Sequence, residues 1–260
     1  MIKIILIIMA VFILYCMIET ARELRDFRLT KYRICSPKLN GIRGTKKIIF
    51  LSDLHNRMYG KENERLLESI KNQHPDLILI GGDMLVRKDG NSYDRTVRFL
   101  EKLPAICPVY CANGNHEQKL KELPDKYEQS YEGYKKALTA CGIHMLENAS
   151  ETVRLDEAPV RISGLEIPLR AYARFGKKDL PLKEITDRIG EHGEEYQILL
   201  AHHPGYIQEY LEYGADLILS GHYHGGVMQL PGIGGVISPD FTLFPKYSGG
   251  YTGKEHRRWS

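Results

Sequence analysis

Short runs of large apolar residues recur along the chain, and a polar, glycine-rich cluster follows many of them. Residues 47–51 form a β-branched run and predict a strand; 76–80, 109–112, 198–200 and 217–219 repeat the pattern. Between these runs the apolar spacing changes. Residues 61–73 place Leu66, Leu67 and Ile70 on one face and predict a helix. Residues 92–103, 128–140, 180–190 and 205–213 read as further helices. Residues 143–146 read as a short strand, 152–165 as two strands joined near Glu157-Ala158-Pro159, and the Gly-rich stretch after 219 as short strands. Strand–helix alternation predicts an α/β fold layered around parallel strands. No internal repeat or low-complexity segment interrupts it.

The N-terminus follows a different pattern. No charged residue stands between positions 4 and 18, and the run is apolar on all sides. With Ile2 and a snorkelling Lys3 it nears the minimum length of a membrane-spanning helix. A cleaved signal peptide fits less well, because Tyr15-Cys16-Met17-Ile18-Glu19 offers no small-x-small site, and bulky Tyr15 disfavours a lipoprotein site at Cys16. Only Lys3 precedes the run, whereas Arg22, Arg25, Arg28, Lys31, Arg33 and Lys38 follow it. The positive-inside rule then places the body in the cytoplasm. The expected organisation is a transmembrane anchor over 1–20 in the cell membrane and a basic juxtamembrane connector over 21–45, helical at its start. One domain over 46–260 follows.

Hydrophobic residues make up 43% and charged residues 27% of the 260-residue chain, an ordinary globular mixture. A formal charge of +3, with no Lys/Arg tract interleaved with aromatics, gives no reason to expect a nucleic-acid partner. The five cysteines are odd in number and sparse, which argues against a disulfide framework and for a reducing compartment. Cys107 and Cys111 flank Pro108-Val109-Tyr110 and read as small residues buried on or near a strand. No second cysteine pair completes a zinc site.

The chemistry stands where the predicted strands stop. The clusters are Ser52-Asp53-Leu54-His55, Gly81-Gly82-Asp83, Asn113-Gly114-Asn115-His116-Glu117, Ala201-His202-His203-Pro204 and Ser220-Gly221-His222-Tyr223-His224-Gly225-Gly226. Ligands bind at the carboxyl ends of strands in open α/β sheets, so clusters distant in sequence are expected to converge. Carboxylate oxygen, amide oxygen and imidazole nitrogen suit Mn, Fe, Zn or Co, and no thiolate belongs to the clusters. Asp53-x-His55 and His222-x-His224 have the spacing at which an extended strand presents two ligands on one side. His74, His144, His192 and His256 lie outside the set and read as ordinary histidines.

These blocks, in order over 48–226, resemble the calcineurin-like metallophosphoesterase superfamily: Asp53-x-His55, Gly82-Asp83, Gly114-Asn115-His116-Glu117, His202 and Gly221-His222-x-His224. The segment from Gly221 through Gln229-Leu230-Pro231-Gly232 is similar to a membrane-associated bacterial branch that includes enzymes cleaving the pyrophosphate of UDP-diacylglucosamine. The resemblance implies a two-sheet αββα sandwich and a two-metal phosphoesterase acting through metal-activated water. Mn²⁺ is the first expectation, with Fe, Zn or Co next. It implies that Asp53, His55 and His224 hold one metal, that Asn115, His202 and His222 hold the other, and that Asp83 bridges them. His116 would contact the phosphate and protonate the leaving oxygen as the catalytic residue, and His203 would be no ligand. Two such ions, about 3.5–4 Å apart, neutralise an anionic ester and clamp its attacking and leaving oxygens. The expected partners are a phosphate-ester or pyrophosphate substrate, with a tilt towards a lipid-linked one, and the membrane.

The resemblance also implies further strands past Lys246-Tyr247, where this chain instead runs to His256-Arg257-Arg258-Trp259-Ser260, so a truncated C-terminus is expected. The competing reading is a non-catalytic scaffold on the same fold, working through protein contacts. The intact ligand set speaks against it. A redox or structural metalloprotein would show cysteine ligands or a cofactor motif, and neither is present.

Overall fold

The computed structural model describes residues 3, 7, 9–12, 14–18, 26–87, 92–173, 178–223, 228–230, 234–237, 243, 245–247, 249–253 and 258–259. The strands are β1 (Lys31–Tyr32), β2 (Ile48–Leu51), β3 (Leu77–Ile80), β4 (Val109–Cys111), β5 (Ile143–Met145), β6 (Ala149–Leu155), β7 (Ala158–Leu165), β8 (Tyr196–Ala201), β9 (Leu217–Leu219), β10 (Met228–Leu230), β11 (Gly234–Ile237) and β12 (Arg258–Trp259). Helices Glu64–Gln73, Asp94–Leu100, Asn115–Glu122, Tyr131–Ala140, Leu182–Ile189 and Ile207–Tyr213 fall between them.

Two four-stranded sheets carry the site. The first has the order β2-β3-β4-β5 and is parallel throughout. The second has the order β6-β7-β8-β9; β7, β8 and β9 are parallel, and β6 runs antiparallel to β7. This departs from all-parallel layering for a local reason. Only Asp156 and Glu157 link β6 to β7, with Asp156 at φ 54°, and so short a link permits only a hairpin.

Side-chain alternation sorts each parallel strand between two cores. On β3, Leu77 and Leu79 point to the second sheet and pack with Val160, Ile162, Ile198 and Leu200. Ile78 and Ile80 point the other way, onto Phe99, Leu100, Tyr134 and Leu138. On β8, Leu199 and Ala201 pack beneath Ile185, Tyr206 and Tyr210, on the face away from the first sheet. The layers are therefore helix, sheet, sheet, helix, as the resemblance implies. Strands buried on both faces read as unbroken apolar runs, which is why β3 and β8 were legible in sequence.

A helix is expected only at the start of the connector. Residues 26–45 hold β1 and a 3-10 turn, Pro37–Leu39, capped by Ser36, and no α-helix; the stretch 21–25 lies outside the described residues. Among the described residues no helix is long and apolar enough to cross a membrane. The anchor expected over 1–20 lies partly outside them. Within it Ile7, Met9, Val11, Phe12, Leu14, Met17 and Ile18 are helical and exposed.

Candidate metal centre

The carboxyl ends of β2, β3, β4, β8 and β9 meet at one rim. Backbone bonds carry the strand register past the strands themselves: Asp53 N–H donates to Gly82 O at 3.0 Å, His55 N–H to Asp83 O at 3.0 Å, and Gly221 N–H to His202 O at 3.0 Å. The first two clusters therefore lie side by side, as do the last two. The expected extended geometry of Asp53-x-His55 is not what the chain adopts. Asp53 and His55 sit at φ 57° and 49°, and His222 at φ 66°, all in the left-handed region. The backbone winds tightly at each of these residues, and this winding, not strand alternation, aims the side chains inward.

Glycines make the winding possible at two places. Gly82 lies at φ +91°, and a Cβ there would stand 2.1 Å from Gly114 N; one on Gly114 would stand 2.2 Å from Asp83 Oδ1. The second and third clusters touch through bare backbone. A Cβ on Gly221 would meet Asp53 Oδ2 at 2.2 Å, so the fifth cluster closes on the first in the same way.

Asp83 is the centre of the arrangement. It is buried, and His116 N–H donates to its Oδ1 at 2.8 Å. Its Oδ2 lies 3.8 Å from His55 Nε2 and 3.1 Å from His202 Nε2. Asp53 Oδ1 stands 3.8 Å from His55 Nε2 and 3.7 Å from His202 Nε2, and accepts the His222 N–H at 3.0 Å. Two groups of donor atoms result, each within 4.8 Å of one another: His55, Asp83 and His116, and Asp83, His202 and His222. Asp83 belongs to both. Asn115 is buried and opens the helix Asn115–Glu122 immediately before His116. His224 lies outside the described residues.

The buried polar atoms fit a cation. His202 Nδ1 bonds Gly81 O at 2.8 Å, which leaves the lone pair of Nε2 facing Asp83 Oδ2. Two acceptors at that separation repel unless positive charge lies between them. Among the described residues, His202 Nε2 and Asn115 Oδ1 are both buried without a hydrogen-bond partner, the state expected of ligand atoms. Burial alone would push the His202 imidazole down, but the Asp83 and Asp53 carboxylates outweigh it and lift the group to about 10. Burial would likewise raise Asp83, yet the surrounding His202, His116 and His55 hold it well below the carboxylate range. Without a metal, a proton on His202 supplies the charge the site demands.

By distance alone His116 stands with the ligands; its hydrogen bonding gives it another character. Arg87 N–H donates to His116 Nδ1 at 3.1 Å, so the neutral ring carries its proton on Nε2. Burial pushes its pKa down to about 4, assisted by His55, Arg87 and Lys119 and opposed by Asp83. His203 is buried, its Nδ1 accepts the Gly205 N–H at 3.0 Å, and its ring lies 4.7 Å from that of His222.

Glu117 emerges as a site residue that sequence reading assigned no role. Its carboxylate accepts N–H groups from Asp83 (2.8 Å), Met84 (2.9 Å), Leu85 (3.2 Å) and Gly114 (3.0 Å). It ties the Asp83 loop to the Asn115 helix. Burial and the nearby Asp83 push it up to about 7, against the pull of those backbone donors. Tyr172 is a second such residue, its ring edge-on to His222 with centroids 5.2 Å apart. Nothing in the spacing around Tyr172 marks it; Glu117 was visible only as the last letter of a motif.

Comparison with known proteins gives a consistent picture. The calcineurin-like phosphoesterase family model matches residues 46–226, which include every cluster above. The chain is 30% identical over 200 residues to the uncharacterized metallophosphoesterase YkuE of Bacillus subtilis, a match covering 75% of this chain and 64% of that protein. It thus spans less than two thirds of YkuE. It is 27% identical over 215 residues to the uncharacterized metallophosphoesterase YkoQ of the same organism (81% of this chain, 72% of YkoQ). It is 26% identical over 216 residues to the phosphodiesterase YaeI of Escherichia coli (82% of this chain, 72% of YaeI).

Proposed function

The chain belongs to the calcineurin-like phosphoesterase family, and from that premise we propose that it hydrolyses a phosphodiester or pyrophosphate with two divalent metal ions at the rim of its sheets. The observation that carries this reading is the sharing of buried Asp83 between two donor groups, one with His55 and one with His202 and His222. Asp53 and His55, with His224 from the sequence pattern, would hold one ion; Asn115, His202 and His222 would hold the other. When bound, such ions neutralise the ester and lower the pKa of a coordinated water to near neutrality.

The remaining roles fall to the chain itself. Gly81 O orients His202 through Nδ1, and His116 N–H orients Asp83 through Oδ1, so each ligand presents one defined atom. Arg87 N–H holds His116 with Nε2 as the proton-bearing nitrogen, directed by its ring contact with His55 at 4.9 Å. An anionic phosphate beside His116 favours its imidazolium and raises its pKa, which suits it to donate a proton to the leaving oxygen. A diester is the first substrate class because YaeI, a relative, is named a phosphodiesterase. A lipid-linked pyrophosphate is the second, supported by the exposed apolar residues between Ile7 and Ile18. A location at the inner face of the cell membrane belongs with that second reading.

The test is direct. The purified chain with Mn²⁺ is expected to release p-nitrophenol from bis-p-nitrophenyl phosphate, and EDTA to abolish release. A nucleotide-linked lipid pyrophosphate, assayed in parallel, separates the two substrate classes. Full metal content with no turnover on any phosphate ester would establish the scaffold reading instead.

A further inference from the structure

One buried carboxylate outside the ligand set gathers donors from three segments of the chain. Glu166 follows β7 and is 4% exposed. Its Oε1 accepts from Asn113 Nδ2 at 2.7 Å and Lys121 Nζ at 3.2 Å; its Oε2 accepts from Lys121 Nζ at 2.8 Å and Asn148 Nδ2 at 3.2 Å. Its own N–H donates to Asn148 Oδ1 at 2.9 Å, and its carbonyl accepts from Arg188 Nη1 at 3.0 Å. The next carbonyl, of Ile167, accepts from buried Gln118 Nε2 at 2.8 Å.

The partners bracket the third cluster. Asn113 lies two residues before Asn115, and Gln118 and Lys121 ride on the helix that Asn115 begins. Glu166 belongs to the second sheet and these partners to the first. Between the sheets the strands pack through apolar side chains, with Leu77 and Leu79 against Ile162 and Ile198, and besides the Glu166 cluster the bonds from His202 Nδ1 to Gly81 O and from His222 N–H to Asp53 Oδ1 cross at the rim. Apolar contact is strong but without direction, so it fixes the spacing of the layers better than their lateral register. Charge-assisted hydrogen bonds are directional. Metal coordination tolerates errors of only about 0.2 Å. Asn115 comes from one sheet and His202 and His222 from the other, so the set they form is correct only when the register is.

We propose that Glu166 is a positioning residue that locks the Asn115–His116 segment of the first sheet against the His202 and His222 loops of the second. This rests on the two-metal reading above. The side chains bonded to the carboxylate, Asn113, Lys121 and Asn148, all donate to it, so Glu166→Gln, which places an amide NH₂ among them, breaks the lock while keeping size and shape.

The experiment is a calorimetric Mn²⁺ titration of the full chain, with metal-free melting curves and steady-state kinetics. The wild type is expected to bind two ions. E166Q is expected to keep one affinity and to lose about 10-fold or more at the other, in the range seen when groups orienting a ligand are removed. Its kcat is expected to fall more than its KM changes, its metal-free melting temperature to stay within a few degrees of wild type, and Glu166→Asp, which keeps the charge, to recover part of the loss. Unchanged affinities, or equal weakening of both sites in step with a lowered melting temperature, would overturn the proposal. If E166Q does not fold, Lys121→Met reads the same point from the more exposed side, and two unchanged affinities there would overturn it equally. A wild type that binds fewer than two ions would strike the two-metal reading itself and this proposal with it, a result visible before any variant is made.

Discussion

At the scale of single residues, the rim is where the chain departs from ordinary backbone. Asp53, His55, Asn56, Asp83 and His222 all have positive φ without being glycine. Such conformations cost about 1–3 kcal/mol each and persist only where surroundings hold them. Here the surroundings are hydrogen bonds such as His222 N–H to Asp53 Oδ1 and His116 N–H to Asp83 Oδ1. Asp, Asn and His enter this region more readily than most side chains, so the ligand types and the strained backbone suit each other. Asp83→Asn keeps the shape of the side chain and removes its charge. It is expected to weaken Mn²⁺ at both positions, by about 10-fold or more, as read by elemental analysis after dialysis at matched free metal. His116→Ala is expected to leave two ions bound and to lower turnover by about 100-fold or more. Wild-type turnover in that variant would mean His116 has no part in proton transfer. The identity of these residues was legible in sequence because they end apolar runs. Their left-handed backbone was not, since φ at a non-glycine residue is set by neighbours such as Gly82 and Gly114 that close on one another only after folding.

At the scale of elements, the strands of the first sheet were legible to within a residue at each end and the helices to within three, whereas β6 and β8 begin three and two residues before their predicted starts and β1 was not expected. Leu217–Leu219 is a strand as expected, and the helix predicted over 61–73 spans Glu64–Gln73. The helix Asn115–Glu122 was not expected at all. Its sequence, Asn-His-Glu-Gln-Lys-Leu-Lys-Glu, has a single large apolar residue, Leu120, and so lacks the repeating stripe by which helices are recognised. Its buried face is polar instead, with Asn115, Glu117 and Gln118 turned inward. What holds its start is Glu117, which accepts the Gly114 N–H of its own helix together with three N–H groups of the Asp83 loop. Glu117→Ala would leave these buried donors without acceptors, each costing about 1–3 kcal/mol. A loss of about 3 kcal/mol or more is expected, read as a lower urea midpoint at unchanged slope. A loss under about 1 kcal/mol would show that water replaces the carboxylate there.

At the scale of the whole molecule, polar groups at the rim join the two halves that apolar packing stacks. Glu147 is part of this seam, paired with Lys121 at 2.7 Å and Lys135 at 2.8 Å. Burial alone would raise its pKa, but hydrogen bonds with Lys121, Lys135 and Tyr131 outweigh it and hold the group below the usual carboxylate range. A carboxylate depressed in the folded state stabilises fully above its unfolded value, near 4.5, and that contribution fades as pH falls through the lower folded value. The stability gap between wild type and Glu147→Gln, up to about 1 kcal/mol for a partly exposed pair, is therefore expected at pH 6 and expected to shrink towards pH 3.5. Urea midpoints across that range measure it, and a gap that widens in acid would contradict the pairing. The α/β class, the order of strands along the chain and the polar clusters that hold the candidate ligands were determined by local signals, namely apolar runs, their period, and the polar letters that end them; which of those letters would hold metal was implied by the resemblance. Tertiary structure alone decided the distances that set Asp83 between two donor groups, and decided that Glu117 splices two loops and that Glu166 reaches across the sheets. Each of these depends on distances between residues far apart in sequence, and no local pattern encodes such a distance until the cores on both sides of each sheet have closed.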